Sequence, residues 1–134
     1  MSGAAIVSLA LGGQSGGGSG GSDVTPNPIS FSNVQGSISG ATNSQTISGI
    51  NAPITLEIDY SGAARIECLV NGSAQAAAGS GTQVVISNGQ TLQIVMQNFT
   101  NSIESGAVTV KNISDSGAVL ATFNYSLSGQ NDFI

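Results

Sequence analysis

Residues 53–60 read PITLEIDY and residues 64–70 read ARIECLV. In the first, Ile54, Leu56, Ile58 and Tyr60 fall on one side while Thr55, Glu57 and Asp59 fall on the other. In the second, Ala64, Ile66, Cys68 and Val70 alternate with Arg65 and Glu67. Successive side chains of a strand point to opposite faces, so an alternation of period two marks a strand with one buried face. Asn71-Gly72 comes at once after it, a dipeptide that accepts positive φ and closes a tight turn.

The same pattern continues in both directions. Upstream, PISFSNV (28–34) sets Ile29, Phe31 and Asn33 on one side, and SQTISGI (44–50) is a further short run. Downstream, TQVVI (82–86) and TLQIVMQN (91–98) flank SNGQ, which predicts a hairpin with Leu92, Ile94 and Met96 turned inward. GAVTVKNI (106–113) and AVLATFNYSL (118–127) flank SDSG and predict a terminal hairpin. In it Val108 and Val110 face the core from one strand, and Val119, Ala121, Phe123, Tyr125 and Leu127 form the buried row of the other. Apolar residues are nowhere sustained at helical spacing, so no long α-helix is expected. Seven or eight short strands with turn signals about every ten residues predict an all-β fold, an immunoglobulin-like antiparallel β-sandwich. The chain has no Trp and one cysteine. It therefore lacks the cysteine pair of antibody domains, and the likeness is one of architecture.

The chain of 134 residues divides into three parts: an apolar arm and its Gly/Ser-rich tether (1–27), the sandwich (28–128) and a short C-terminal tail (129–134). The arm begins MSGAAIVSLAL, with Ile6 followed by Val7, Leu9 and Leu11 in alternation. It has no Lys or Arg of the kind a secretory n-region needs, and AAIVSLAL is far short of the roughly 20 residues that span a bilayer. The expected reading is a docking arm, added as a strand or seated in an apolar groove of another subunit, with Ile6, Val7, Leu9 and Leu11 as its contacts. Phe133 and Ile134, after polar SGQND, are a candidate second contact.

Charge narrows the function. Arg65 and Lys111 are the only basic residues against seven carboxylates, a net charge of −5. Nucleic-acid binding draws on clustered Lys and Arg, so a nucleic-acid partner is not expected. About fifty positions are Ser, Thr, Asn or Gln, and solubility rests on these uncharged groups. With no histidine in the chain, most acid–base and nucleophilic arrangements are missing. Glu57 and Asp59, about 7 Å apart as neighbouring outward positions of one strand, are the single close carboxylate pair. A solvated face neutralised by Lys111 or Arg65 is the simpler account of that pair. Cys68 reads as a small buried hydrophobe. No enzyme activity, cofactor or metal is expected. The N-x-S/T matches at Asn71, Asn98, Asn112 and Asn124 arise easily in so Asn- and Ser-rich a chain.

The succession FSNVQG, SQTISGINAPITLEI, VNGSAQAAAGSGTQVVISNGQTLQIVM and SGAVLATFNYSL resembles the immunoglobulin-like accessory domains of tailed-bacteriophage virion proteins and related bacterial surface proteins. The corresponding residues are Ser48, Gly49, Ile50, Pro53 and Ile54, then Asn71 and Gly72, then Asn88, Gly89 and Gln90, and Phe123; Gln90 stands where the family usually has Asp. The likeness spans about residues 29–127. It implies a structural virion protein without catalytic residues, first of all a capsid decoration protein held by its arm. A neck, tail or fibre component, and a carbohydrate-binding or adhesin module, are the competing expectations. The partners expected are other virion proteins, further copies in a homo-oligomer and host-surface glycans; the location expected is the virion.

Overall fold

The computed structural model describes residues 22–129, without the side chains of residues 76–78. Within them the chain is all-β. The strands are β1 (Val34–Gly36), β2 (Ser39–Ala41), β3 (Gln45–Thr46), β4 (Ile54–Tyr60) and β5 (Arg65–Val70). Then come β6 (Ser73–Ala78), β7 (Thr82–Ile86), β8 (Thr91–Gln97), β9 (Glu104–Asn112) and, after a 3₁₀ turn at Ile113–Asp115, β10 (Ala118–Leu127). One sheet has the order β1-β10-β9-β4-β7. The other has the order β2-β8-β5-β6, with β3 also on β8. Every pair is antiparallel except β1 with β10.

The period-two rows become the two inner faces of a β-sandwich. Ile54, Leu56 and Ile58 of one sheet and Ile66, Cys68, Leu92, Ile94 and Met96 of the other are fully or almost fully buried, with Val108, Val110, Phe123 and Leu127 in the same cluster. Each such Ile or Leu contributes roughly 1.5–3 kcal/mol through burial, which lets an aliphatic core stand without tryptophan or a disulfide. Two edge-to-face pairs supplement it: Phe31 on Phe123 at 5.8 Å, and Tyr60 on Tyr125 at 6.2 Å. The Asn71-Gly72 turn forms as expected, with φ of 51° and 81°, the two positive values a type I′ hairpin needs.

Three expectations from the sequence are corrected. First, β7 and β8 are not a hairpin: β7 pairs with β4 and β8 with β5, in opposite sheets. The SNGQ turn does form, since Gln90 N–H donates to Ser87 O at 3.1 Å and Gly89 has φ +88°. Its outgoing limb bonds to Ile47 on the β3 side instead, and the chain crosses the core. A turn signal fixes the reversal of the chain; it does not fix which strands pair. Second, inward facing passes from Phe31 to Val34, and Asn33 is exposed. Residues 29–33 are not a regular strand, so the alternation slips by one, and Asn33 Oδ1 accepts from Asn124 N–H. Third, Val119 is 61% exposed. The β9–β10 register shifts between Val119 and Ala121, and a shift of one residue turns the end of the row outward.

Candidate functional site

Glu57, Asp59 and Lys111 share the outer face of the first sheet because β4 and β9 pair Glu57 with Lys111 and Asp59 with Thr109. Lys111 Nζ lies 2.6 Å from Asp59 Oδ2 and 4.0 Å from Glu57 Oε2. Gln83 Nε2, from β7, donates to Glu57 Oε1 at 3.1 Å. The hydrogen bond to Asp59 and its charge hold the Lys111 ammonium above its ordinary pKa, with Glu57 adding to them and partial desolvation opposing. Here one cation serves both carboxylates, on the outer face of a sheet. The arrangement is a surface ion-pair network, as the simpler reading of the pair expects.

Cys68 is fully buried, and burial, with Glu67 adding, pushes its thiol up to about 11. A thiol that holds its proton so firmly is not a nucleophile at neutral pH. Among the described residues no group of three His, Cys, Asp or Glu is placed to hold a metal ion, and no helix is long and apolar enough to cross a membrane. A shallow hollow lined by Ile50, Asn51, Ala52, Pro53, Ser87 and Asn88 carries no titratable side chain.

The two ends of the sandwich are more informative. At one end, Asn112 is 2% exposed; its Nδ2 donates to Val24 O at 2.7 Å and its Oδ1 accepts from Ser114 N–H at 3.1 Å. Around it Asp23 N–H donates to Asn51 Oδ1, Thr25 Oγ1 to Asp115 Oδ2 and Asn27 N–H to Ser48 O. Residues 23–27, which the sequence assigns to the tether, are therefore bonded to the sandwich. Gly49 belongs to this seam: its φ is +85°, and a Cβ there would sit 2.8 Å from Asn27 Oδ1.

At the other end, Asn98 is 0% exposed. Its Nδ2 faces three carbonyls, Ser102 O at 2.8 Å, Leu127 O at 3.1 Å and Ser128 O at 3.2 Å, while its Oδ1 accepts from Thr100 N–H. Its own N–H donates to Ile38 O at 2.7 Å. Beside this buried knot Phe99 is 52% exposed and Ile103 66%, with Ile38 at the margin. The Arg65 guanidinium carbon lies 5.9 Å from the centroid of the Phe99 ring.

No family model and no curated protein matches this chain. Two solved structures are similar at a low level. The N-terminal domain of PorA is 13% identical, over 80% of this chain and 90% of that one, with a TM-score of 0.37. A family 123 glycoside hydrolase from Clostridium perfringens is 13% identical, over 76% of this chain and 23% of that one, with a TM-score of 0.41. This chain thus spans less than a quarter of the hydrolase.

Of the residues singled out by sequence, Ile6, Val7, Leu9, Leu11, Phe133 and Ile134 lie outside the described residues. Tyr60 and Tyr125 are turned inward as expected, their hydroxyls donating to Ala64 O at 2.6 Å and Ser61 O at 2.7 Å. Sequence reasoning passes over Asn98 and Asn112 as chance N-x-S/T matches. Their side chains are instead buried and bonded, so neither is open to a glycan in the folded protein. It also passes over Phe99 and Ile103, whose one signal is a pair of large apolar residues inside a polar run, NFTNSI.

Proposed function

We propose that this chain is a structural protein of a tailed-phage virion, most directly a capsid decoration protein. In this reading Ile6, Val7, Leu9 and Leu11 anchor it to a neighbouring subunit, and an immunoglobulin-like domain is displayed outside. The observation that carries the reading is the seam of residues 23–27 at the Asn112 end. It begins the bonded part of the domain at residue 23, twelve residues after Leu11, a separation long enough for an apolar arm to reach a neighbouring subunit.

The strand order supports the immunoglobulin-like part. An immunoglobulin sandwich sets strands A, B, E and D in one sheet and C, F and G in the other. Taking β2 with β3 as B, β4 as C, β5 as D, β8 as E, β9 as F and β10 as G reproduces the neighbours B-E-D and C-F-G in chain order. β6 and β7 are then an insertion between D and E that widens each sheet by one strand. The outward faces are predominantly polar and the Glu57–Asp59 pair is engaged by Lys111, which suits a displayed module better than a catalytic one.

The test is attachment. A chain lacking residues 1–22 should fold as the full chain does and fail to co-sediment with particles assembled without it, while the full chain pellets. Retained attachment of the shortened chain overturns the proposal.

A further inference from the structure

The Asn98 end exposes more large apolar surface than a solvated loop requires. Phe99 and Ile103 are each more than half exposed, within six residues of one another, on a loop whose backbone is fixed by a fully buried asparagine. The chain leaves its described portion at this same place. Asn98 Nδ2 holds Leu127 O and Ser128 O, Ser128 N–H donates to Gly36 O, and Gly129 is packed so closely on Asn101 and Ser102 that a Cβ would collide with their backbone. The exit is thus built into the loop that carries Phe99 and Ile103.

Beyond Gly129 the chain continues Gln-Asn-Asp-Phe-Ile. We propose that the Phe99–Ile103 surface is the seat of this chain's own residues 130–134, with Phe133 and Ile134 on the two apolar side chains and Asp132 facing Arg65.

Three observations favour this occupant over a foreign one. Five residues extend to roughly 17 Å, and the seat begins one residue from the backbone that Gly129 touches, so reach is ample. A segment joined by so short a link has an effective concentration on the order of millimolar, which outcompetes a free partner of equal chemistry. The charges also match: Arg65, already over Phe99, is one of two basic residues in the chain, and Asp132 immediately precedes Phe133. The other carboxylate at this end, Glu104, is turned to the Ala63 N–H, which donates to it at 2.8 Å. Seating the tail covers an apolar patch that would otherwise invite association between copies. It also makes Phe133 and Ile134 part of the displayed domain instead of a second contact to a partner.

Because the chain has no tryptophan, Phe99→Trp supplies a single fluorescent reporter on an exposed loop position. In the full chain carrying it, replacing Phe133 and Ile134 with Ser should shift the emission to the red and raise acrylamide quenching, equally at all protein concentrations. Unchanged emission and quenching overturn the proposal. A shift confined to high protein concentration assigns the seat to the tail of a second copy and overturns it too. A second measurement leaves Phe99 in place: Phe133→Leu should remove a ring-current shift from the Ile103 methyl resonances, and methyls that do not move contradict the seat. Neither readout depends on particle attachment, so the inference stands or falls apart from the proposed function.

Discussion

The two ends of the sandwich use the same residue to opposite effect. Asn112 and Asn98 are both buried, both sit in N-x-S/T triplets and both tie a passing segment to the end of a strand. At the Asn112 end the tied segment is the incoming chain, and its short polar residues, Asp23, Thr25 and Asn27, are themselves bonded to the domain. At the Asn98 end the tied segment is the outgoing chain, and the loop that holds it leaves Phe99 and Ile103 in solvent. The contrast teaches where to look for contacts in a protein with so little charge. The Asn112 end is tied by its own polar segment, with Val119 61% and Ile113 38% exposed beside it, whereas at the Asn98 end the exposed pair, Phe99 and Ile103, sits on the loop that holds the outgoing chain.

Breaking the Asn98 knot should have the largest effect. Asn98→Ala strands the Leu127 and Ser128 carbonyls and the Thr100 amide, while Ser102 O keeps the Thr100 hydroxyl, and at roughly 1–3 kcal/mol for each unsatisfied group a loss of about 3 kcal/mol or more is expected in urea denaturation. Asn112→Ala strands the Val24 carbonyl and the Ser114 amide, close to solvent, and should cost about 1–2 kcal/mol. Equal losses, or the reverse order, would erase the distinction drawn between the ends.

Alkaline pH should then act on the core thiol first and on the Asn98 end after it. Tyr60 and Tyr125 bond there to Ala64 O and Ser61 O, and burial holds both phenols above their ordinary value of 10. Below pH 10 both are neutral, folded or unfolded, and the stability they contribute is complete. As pH rises further the unfolded chain ionises first, so that stability drains away. Cys68 opens the window lower, between its ordinary 9 and about 11. Denaturation midpoints should therefore hold steady up to pH 9 and fall beyond it, and Cys68→Ala should delay the onset to about 10; a midpoint flat to pH 11 contradicts this. The smallest effect is expected from Lys111→Met, which removes an exposed cation from both carboxylates and should leave the midpoint within experimental error.

Much of the fold was legible in the sequence because its strands keep strict alternation where both neighbours are regular. PITLEIDY, ARIECLV and TLQIVMQ carry the inward rows expected of them, with Tyr60 packed against the core at the end of its row. Legibility failed where pairing depends on the other sheet. Ser87-Asn88-Gly89-Gln90 announces a reversal, but β7 goes to β4 and β8 to β5 because Ile86 and Leu92 enter the core from opposite sides. The candidate site divides in the same way. The neutralisation of Glu57 and Asp59 by Lys111 was foreseeable from outward positions on strands. The role of Asn98 was not, since its partners at Leu127 and Ser128 are about thirty residues away and no local pattern points to them.

The most direct measurement sets the arm against the carboxylate face in one sedimentation experiment with particles assembled without the chain. A full-length variant with Ile6, Val7, Leu9 and Leu11 replaced by Ser should remain in the supernatant, and Glu57→Gln with Asp59→Asn should pellet like the unaltered protein. A serine variant that pellets, or a carboxylate variant that does not, would contradict the account.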